Sequence, residues 1–136
     1  MLAMFTHAYY KDLFMQLLNC EEVGYEAGER GISITLHSKY LDEVQTLVFL
    51  RGKLLTFCCE NIAYVDGPQL PAIYKMLNDL NSEHDDIKFL LDDKQICVTL
   101  QSFILQDKMV SQCLVAMQRL IDVLDNVYPR IKYVLK

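Results

Sequence analysis

The sequence predicts an α+β fold: an antiparallel sheet of about five strands packed with three helices, in the order α-β-β-β-α-β-β-α. Two pairs of short apolar or alternating segments, 44–50 with 54–59 and 87–91 with 96–100, are each joined by a short polar turn, the pattern of a β-hairpin. Three windows, 2–19, 71–81 and 106–128, repeat apolar residues at steps of three and four, the period of one helix face. With 136 residues, 52% hydrophobic and 23% charged, the chain is long and apolar enough to bury a core as one domain over 1–136.

The first helix is expected over Leu2 to Asn19. Leu2, Phe5, Tyr9, Leu13 and Leu17 form one apolar row, and Tyr10, Phe14 and Leu18 a second beside it. Cys20 to Gly31, rich in glycine and glutamate, reads as a loop with a short extended piece near Tyr25. Ile32, Ile34 and Leu36 then alternate with Ser33, Thr35 and His37, giving a strand with one buried face. Val44 to Leu50 and Leu54 to Cys59 make the first hairpin around Arg51-Gly52-Lys53, where glycine supplies a permissive backbone. Both of its strands carry apolar residues on two faces, so they are covered twice or expose an apolar patch.

Asp66-Gly67-Pro68 is a turn, and Pro71 takes the first helical position, where its missing N–H costs nothing. The second helix runs to about Asn81 with Ile73, Tyr74, Leu77 and Leu80 inward, and Ser82 to Asp86 connects it to the second hairpin. There Ile87, Phe89 and Leu91 alternate, Asp92-Asp93-Lys94 turns the chain, and Ile96, Val98 and Leu100 alternate again. The last helix spans Gln106 to Tyr128 on Val110, Cys113, Leu114, Met117, Leu120, Ile121, Leu124 and Tyr128. Asp107 is its expected cap, and Pro129 is expected to end or kink it at Tyr128.

A net charge of -5, with no lysine and arginine stripe, argues against nucleic acid as a partner. No apolar run approaches the roughly 20 residues of a membrane span, so a membrane is excluded as well. The N-terminal stretch lacks a basic leader, and a cytoplasmic location is expected. The five cysteines, Cys20, Cys58, Cys59, Cys97 and Cys113, are odd in number and irregularly spaced, and read as reduced, buried small hydrophobes.

Chemistry-bearing clusters are few. Glu83, His84, Asp85 and Asp86 form the one dense group of metal-capable residues. Adjacent carboxylates can hold a hard cation, but this spacing is not that of an EF-hand and fits a solvated connection. No serine lies in a GxSxG elbow, and Gly24, Gly28 and Gly31 match neither a P-loop nor a dinucleotide fingerprint. No catalytic residue, metal site or cofactor is therefore expected, and the chain is read as a non-enzyme. The alternative is a small-molecule or divalent-metal-binding sensor built on the His84 cluster or on a pocket between helix and sheet.

Two surfaces are stronger candidates. Leu47, Phe49, Leu55 and Phe57 of the first hairpin are expected to line an apolar outer face for a peptide or a second copy of the chain. Val115, Val123 and Val127 form a thinner row beside the main stripe of the last helix, and are expected to pack on another chain.

The helix end LNDLNSEH (Leu77 to His84), the hairpin DIKFLLDDKQICVTLQ (Asp86 to Gln101) and the long final helix together resemble the YbjN family, candidate bacterial sensory transduction regulators. The fold of that family is similar to the chaperones of type III secretion. Asn81 matches the asparagine that the family carries at a helix end just before a strand. The resemblance implies a small non-enzymatic regulator or adaptor of chaperone-like fold, a homodimer that binds other proteins, with no catalytic residues to carry over.

Overall fold

The computed structural model describes residues 7–28, 31–105 and 108–136, with side chains from Asp12 onward. Its elements are α1 (His7–Cys20), β1 (Tyr25–Ala27), β2 (Ile32–Ser38), β3 (Asp42–Arg51), β4 (Leu54–Tyr64), α2 (Leu70–Glu83), β5 (Ile87–Asp92), β6 (Gln95–Phe103) and α3 (Met109–Val134). A 3-10 turn, Gly67–Gln69, leads into α2. The six strands form one sheet in the order β1-β2-β3-β4-β6-β5, antiparallel throughout. This is the expected α+β architecture, with the extended piece at Tyr25 as a short sixth strand.

Turn chemistry sets the register of both hairpins. Arg51 pairs with Leu54, so the first loop is only Gly52-Lys53, and Gly52 supplies the positive φ of 62° that such a turn needs. Asp92 pairs with Gln95 across Asp93-Lys94, both left-handed at φ 48° and 65°. Left-handed backbone at both central positions marks a type I′ turn, whose twist matches that of the strands.

The three helices lie on one face of the sheet and bury a single apolar cluster against it. One cross-strand row of that face is Ile32, Val48, Phe57, Leu100 and Ile87, all less than a tenth exposed. Phe14 of α1 meets Phe57 edge to face with ring centroids 6.2 Å apart. Thr46, fully buried on this side, keeps its hydroxyl engaged with the Cys59 Sγ at 3.3 Å and the Val44 carbonyl at 3.4 Å. At Gly31, where φ is 146°, an added Cβ would collide with the Val48 carbonyl, so the entry to β2 requires glycine.

One expectation for α3 is untested and one is corrected: Pro129 does not end the helix. Asp107 lies outside the described residues, and the helix runs through Pro129 to Val134. Proline is tolerated because it is exposed while Val127 and Ile131, on either side, are fully buried. Tyr128 also stacks on Tyr40 at 6.2 Å, and Gln69 Nε2 donates to the Leu135 carbonyl at 2.7 Å.

The β5 edge and the stretch of β2 beyond β1 find partners in the chain itself. At β5, Asn81 at the end of α2 accepts from the Phe89 N–H at 2.6 Å and donates to the Phe89 carbonyl at 3.0 Å, as a neighbouring strand would. At β2, the outward Thr35 N–H donates to the Gly24 carbonyl and the Lys39 N–H to Asp125 Oδ1 of α3, 2.9 and 2.8 Å respectively. Such devices stop a foreign strand from extending the sheet.

Candidate functional site

The acidic connection after α2 is held by two arginines of α3. Arg119 donates through Nε and Nη2 to the two carboxylate oxygens of Asp86 at 3.0 and 3.2 Å, and Arg130 grips Glu83 in the same way at 3.0 Å. These guanidinium hydrogen bonds hold both carboxyls below their usual range. His84 turns back, with Nδ1 2.9 Å from the Leu80 carbonyl and its ring 5.5 Å from that of Phe89. The group thus fastens α2 and β5 to α3, and among the described residues no three metal-capable side chains gather.

Three of the five cysteines, Cys59, Cys97 and Cys113, are buried packing groups as expected, whereas Cys20 is exposed and Cys58 half-buried on the sheet. Cys59 and Cys113 are fully buried, and desolvation pushes their thiols up to about 11 and about 12. Burial also raises Cys97. A thiol held protonated is a poor nucleophile and a poor metal ligand.

What remains is the sheet face turned away from the helices. Leu47 and Phe49 of β3 do lie on it, half-buried, as expected. Leu55 and Phe57 do not: they are 4% and 0% exposed and point into the core. The physical reason is the length of the hairpin loop. A three-residue turn at Arg51-Gly52-Lys53 would oppose Phe49 to Leu55 and Leu47 to Phe57, whereas the observed two-residue turn opposes Phe49 to Thr56 and Leu47 to Cys58. A slip of one residue moves every side chain of a strand to the other face. Leu54, Thr56 and Cys58 are therefore the β4 residues of this surface, and the glycine-lysine pair at 52–53 was the signal that could have placed them there.

The row Ser33, Leu47, Cys58, Thr99 and Lys88 crosses five strands on this face, and Phe49, Thr56 and Gln101 form the next. Gln101 Nε2 donates to Thr56 Oγ1 at 3.3 Å, so the two are joined across β4 and β6. Cys97 and Leu90 continue the surface towards β5, and Phe103, 72% exposed, closes its far corner beside Leu54. Lys88 at the β5 edge is the one charged residue among these, while Glu26 of β1 and Glu60 of β4, beside Cys97, border them, and no described helix covers them.

The expected row on α3 separates as well. Val115 is 67% exposed, but Val123 and Val127 are 4% and 1% exposed and belong to the core. The helix turns its broad apolar stripe through them onto the sheet, which leaves Val115 without its row. A groove of about 590 Å³ opens between α2 and α3, lined by Met76, Asp79, Pro129, Arg130 and Tyr133 among others. Its one bidentate cation, Arg130, is committed to Glu83.

No protein-family model matches the sequence, and no curated protein matches it. The fold and its surfaces define an α+β protein with a six-stranded antiparallel sheet, helices on one face and none of the described helices on the other. The crystal structure of YbjN from E. coli, a candidate transcription regulator, is similar to it, with a TM-score of 0.65 over 88% of this chain and 92% of that one. At 15% identity the likeness is one of fold, and at that level it agrees with the resemblance noted in the sequence. No described helix is long and apolar enough to cross a membrane.

Proposed function

We propose that this protein is a non-enzymatic protein-binding module, a regulator or adaptor of the YbjN kind acting in the bacterial cytoplasm, whose docking surface is the helix-free face of the sheet. One observation carries the proposal: Leu47, Phe49, Leu54 and Cys58 of the first hairpin form an uncharged apolar patch on that face, bordered by Glu60, in a chain that is 23% charged. Solvent gives no reason to place leucine, phenylalanine and cysteine at half-exposed positions. A protein interface does, since its core is depleted of charge and enriched in aromatic groups. The Asn81 bonds to Phe89 support the same surface, because they obstruct strand addition at the β5 edge. The paired carboxylates at Glu83 and Asp86 weigh against the divalent-metal sensor.

Affinity capture from the native cell, with the natural chain and the Phe49→Asp variant as baits, tests this. The natural chain is expected to retain protein that the folded variant loses. Equal recoveries from the two baits would overturn the proposal.

A further inference from the structure

Opposite the edge that Asn81 closes, β1 is the outermost strand of the sheet. In its ladder with β2 the Thr35 N–H donates to the Gly24 carbonyl at 2.9 Å, and the Gly28 N–H to the Gly31 carbonyl at 2.8 Å. Backbone groups of an antiparallel strand turn alternately to its two sides, so Gly24, Glu26 and Gly28 face β2 and the intervening Tyr25 and Ala27 face outward. Among the described residues none is bonded to these two N–H and two carbonyl groups. Tyr25, half-buried against the core, holds β1 in place from beneath. The strand is thus fixed on its inner side and vacant on its outer one.

The charge around it is of one sign. Glu21, Glu22 and Glu26 are exposed, and residues 21–30 carry four glutamates against one arginine. Shortness and charge guard an edge against indiscriminate pairing, and the sign of the charge decides which chains are turned away. A second copy of this edge would set the same glutamates against each other, and an acidic chain would be repelled as well. A chain bearing lysine or arginine would be drawn in.

Beside the edge, where α1 passes into β1, lies a cavity of about 310 Å³. Glu21 and Val23 of the connection line it with Leu36 of β2 and Leu114, Met117 and Ile121 of α3. Such a lining suits one apolar side chain. We infer that β1 takes an extended, lysine- or arginine-bearing segment of a partner protein as a seventh strand, with an apolar side chain of that segment seated in the cavity beside Val23. This surface is separate from the helix-free face, so either can fail alone.

Three synthetic peptides of about a dozen residues, alternating valine with lysine, serine or glutamate, are long enough to overrun β1 at both ends. Calorimetric titration of the natural chain is expected to rank lysine above serine, with no binding of the glutamate peptide, and the lysine preference should shrink as salt is raised. Amide exchange at Tyr25 and Ala27 should slow when the lysine peptide is bound. Ala27→Pro removes an outward donor and leaves the ladder to β2 intact, and should weaken binding about tenfold. The triple change Glu21→Gln, Glu22→Gln, Glu26→Gln should erase the preference for lysine over serine. Phe49→Asp, on the helix-free face, should bind as the natural chain does.

Circular dichroism checks folding, and should Ala27→Pro fail to fold, the triple change carries the test. Absence of binding by all three peptides, equal binding of the three at low salt, or unchanged exchange at Tyr25 and Ala27 would overturn the inference. So would binding lost with Phe49→Asp and kept in the triple variant, which would move the peptide to the helix-free face. A peptide-free dimer abolished by Ala27→Pro would put a second copy on the edge instead, and would equally overturn it.

Discussion

On the helix side of the sheet, Ile32, Val48, Phe57, Leu100 and Ile87 line up across five strands; one residue along, Ser33, Leu47, Cys58, Thr99 and Lys88 line up on the other side. The first row is large, aliphatic or aromatic, and almost wholly buried. The second is polar at both ends and apolar only between β3 and β4. Covering helices explain the first row, since each of its side chains gains the full transfer free energy of burial. They do not cover the second, and its apolar centre is what the proposed docking surface would account for.

The largest expected effect separates the two rows at adjacent hairpin positions. Phe57→Ala removes a fully buried ring that contacts Phe14, and should cost about 3–5 kcal/mol of unfolding free energy. Phe49→Ala removes a half-buried ring from the open face, and in dilute protein should cost roughly 1–2 kcal/mol. If the open face is an interface, the Phe49 loss grows with protein concentration and the Phe57 loss within the protomer does not. Urea titrations of both variants at low and high concentration make the comparison. Equal, concentration-independent losses would show that the two faces are covered alike.

Next in size is the edge that directs recognition to the face. Asn81→Ala leaves the Phe89 N–H and carbonyl without their side-chain partners, which should cost about 1–3 kcal/mol because the site is partly buried. Amide exchange at Phe89 should speed up, and the opened β5 should make the variant prone to associate through its edge. Unchanged exchange at Phe89 would mean that the asparagine does not close the edge.

Much of the fold could be read from the residues, because its signals are local. Alternation in β2, β5 and β6 and the three- and four-step spacing in α2 and α3 each concern a few neighbouring side chains. What escaped was the pairing of strands. Val48, Leu50, Leu55 and Phe57 share one face and Leu47, Phe49, Leu54 and Cys58 the other, yet all eight are apolar, so hydropathy alone does not say which belongs inside. Loop length decides it, and a single residue of uncertainty in the turn exchanges the two sets. The same degeneracy hid Val123 and Val127, since an apolar stripe as broad as that of α3 does not show its own margins. That the helix does not end at Pro129 has a different reason: local sterics oppose a helix there, but packing of Val127 and Ile131 on both sides carries it on. The acidic connection showed its charges but not their partners, because Arg119 and Arg130 lie 33 and 47 residues from Asp86 and Glu83.

Acid should distinguish the covered face from the open one by the smallest effect of the three. Asp86 and Glu83 have carboxyl groups lowered chiefly by hydrogen bonds from Arg119 and Arg130. A carboxylate whose pKa is depressed by folding contributes stability that is fully present above its unfolded value, near 4, and is lost as pH falls through the lower folded value. The clamp on α2 and β5 therefore weakens only below about pH 4. Since both pairs are nearly half exposed, solvent screening keeps their contribution small. The double change Arg119→Gln, Arg130→Gln should flatten the fall of stability between about pH 4 and pH 2 and alter little at neutral pH. The patch of Leu47, Phe49, Leu54 and Cys58 holds no carboxylate of its own, though Glu60 borders it, so association through the patch should persist down to about the pH at which the clamp begins to fail. Stability and mass followed together along one acid titration test both statements, and a dimer that dissociates well above pH 4 while the fold remains intact would place titrating groups inside the interface.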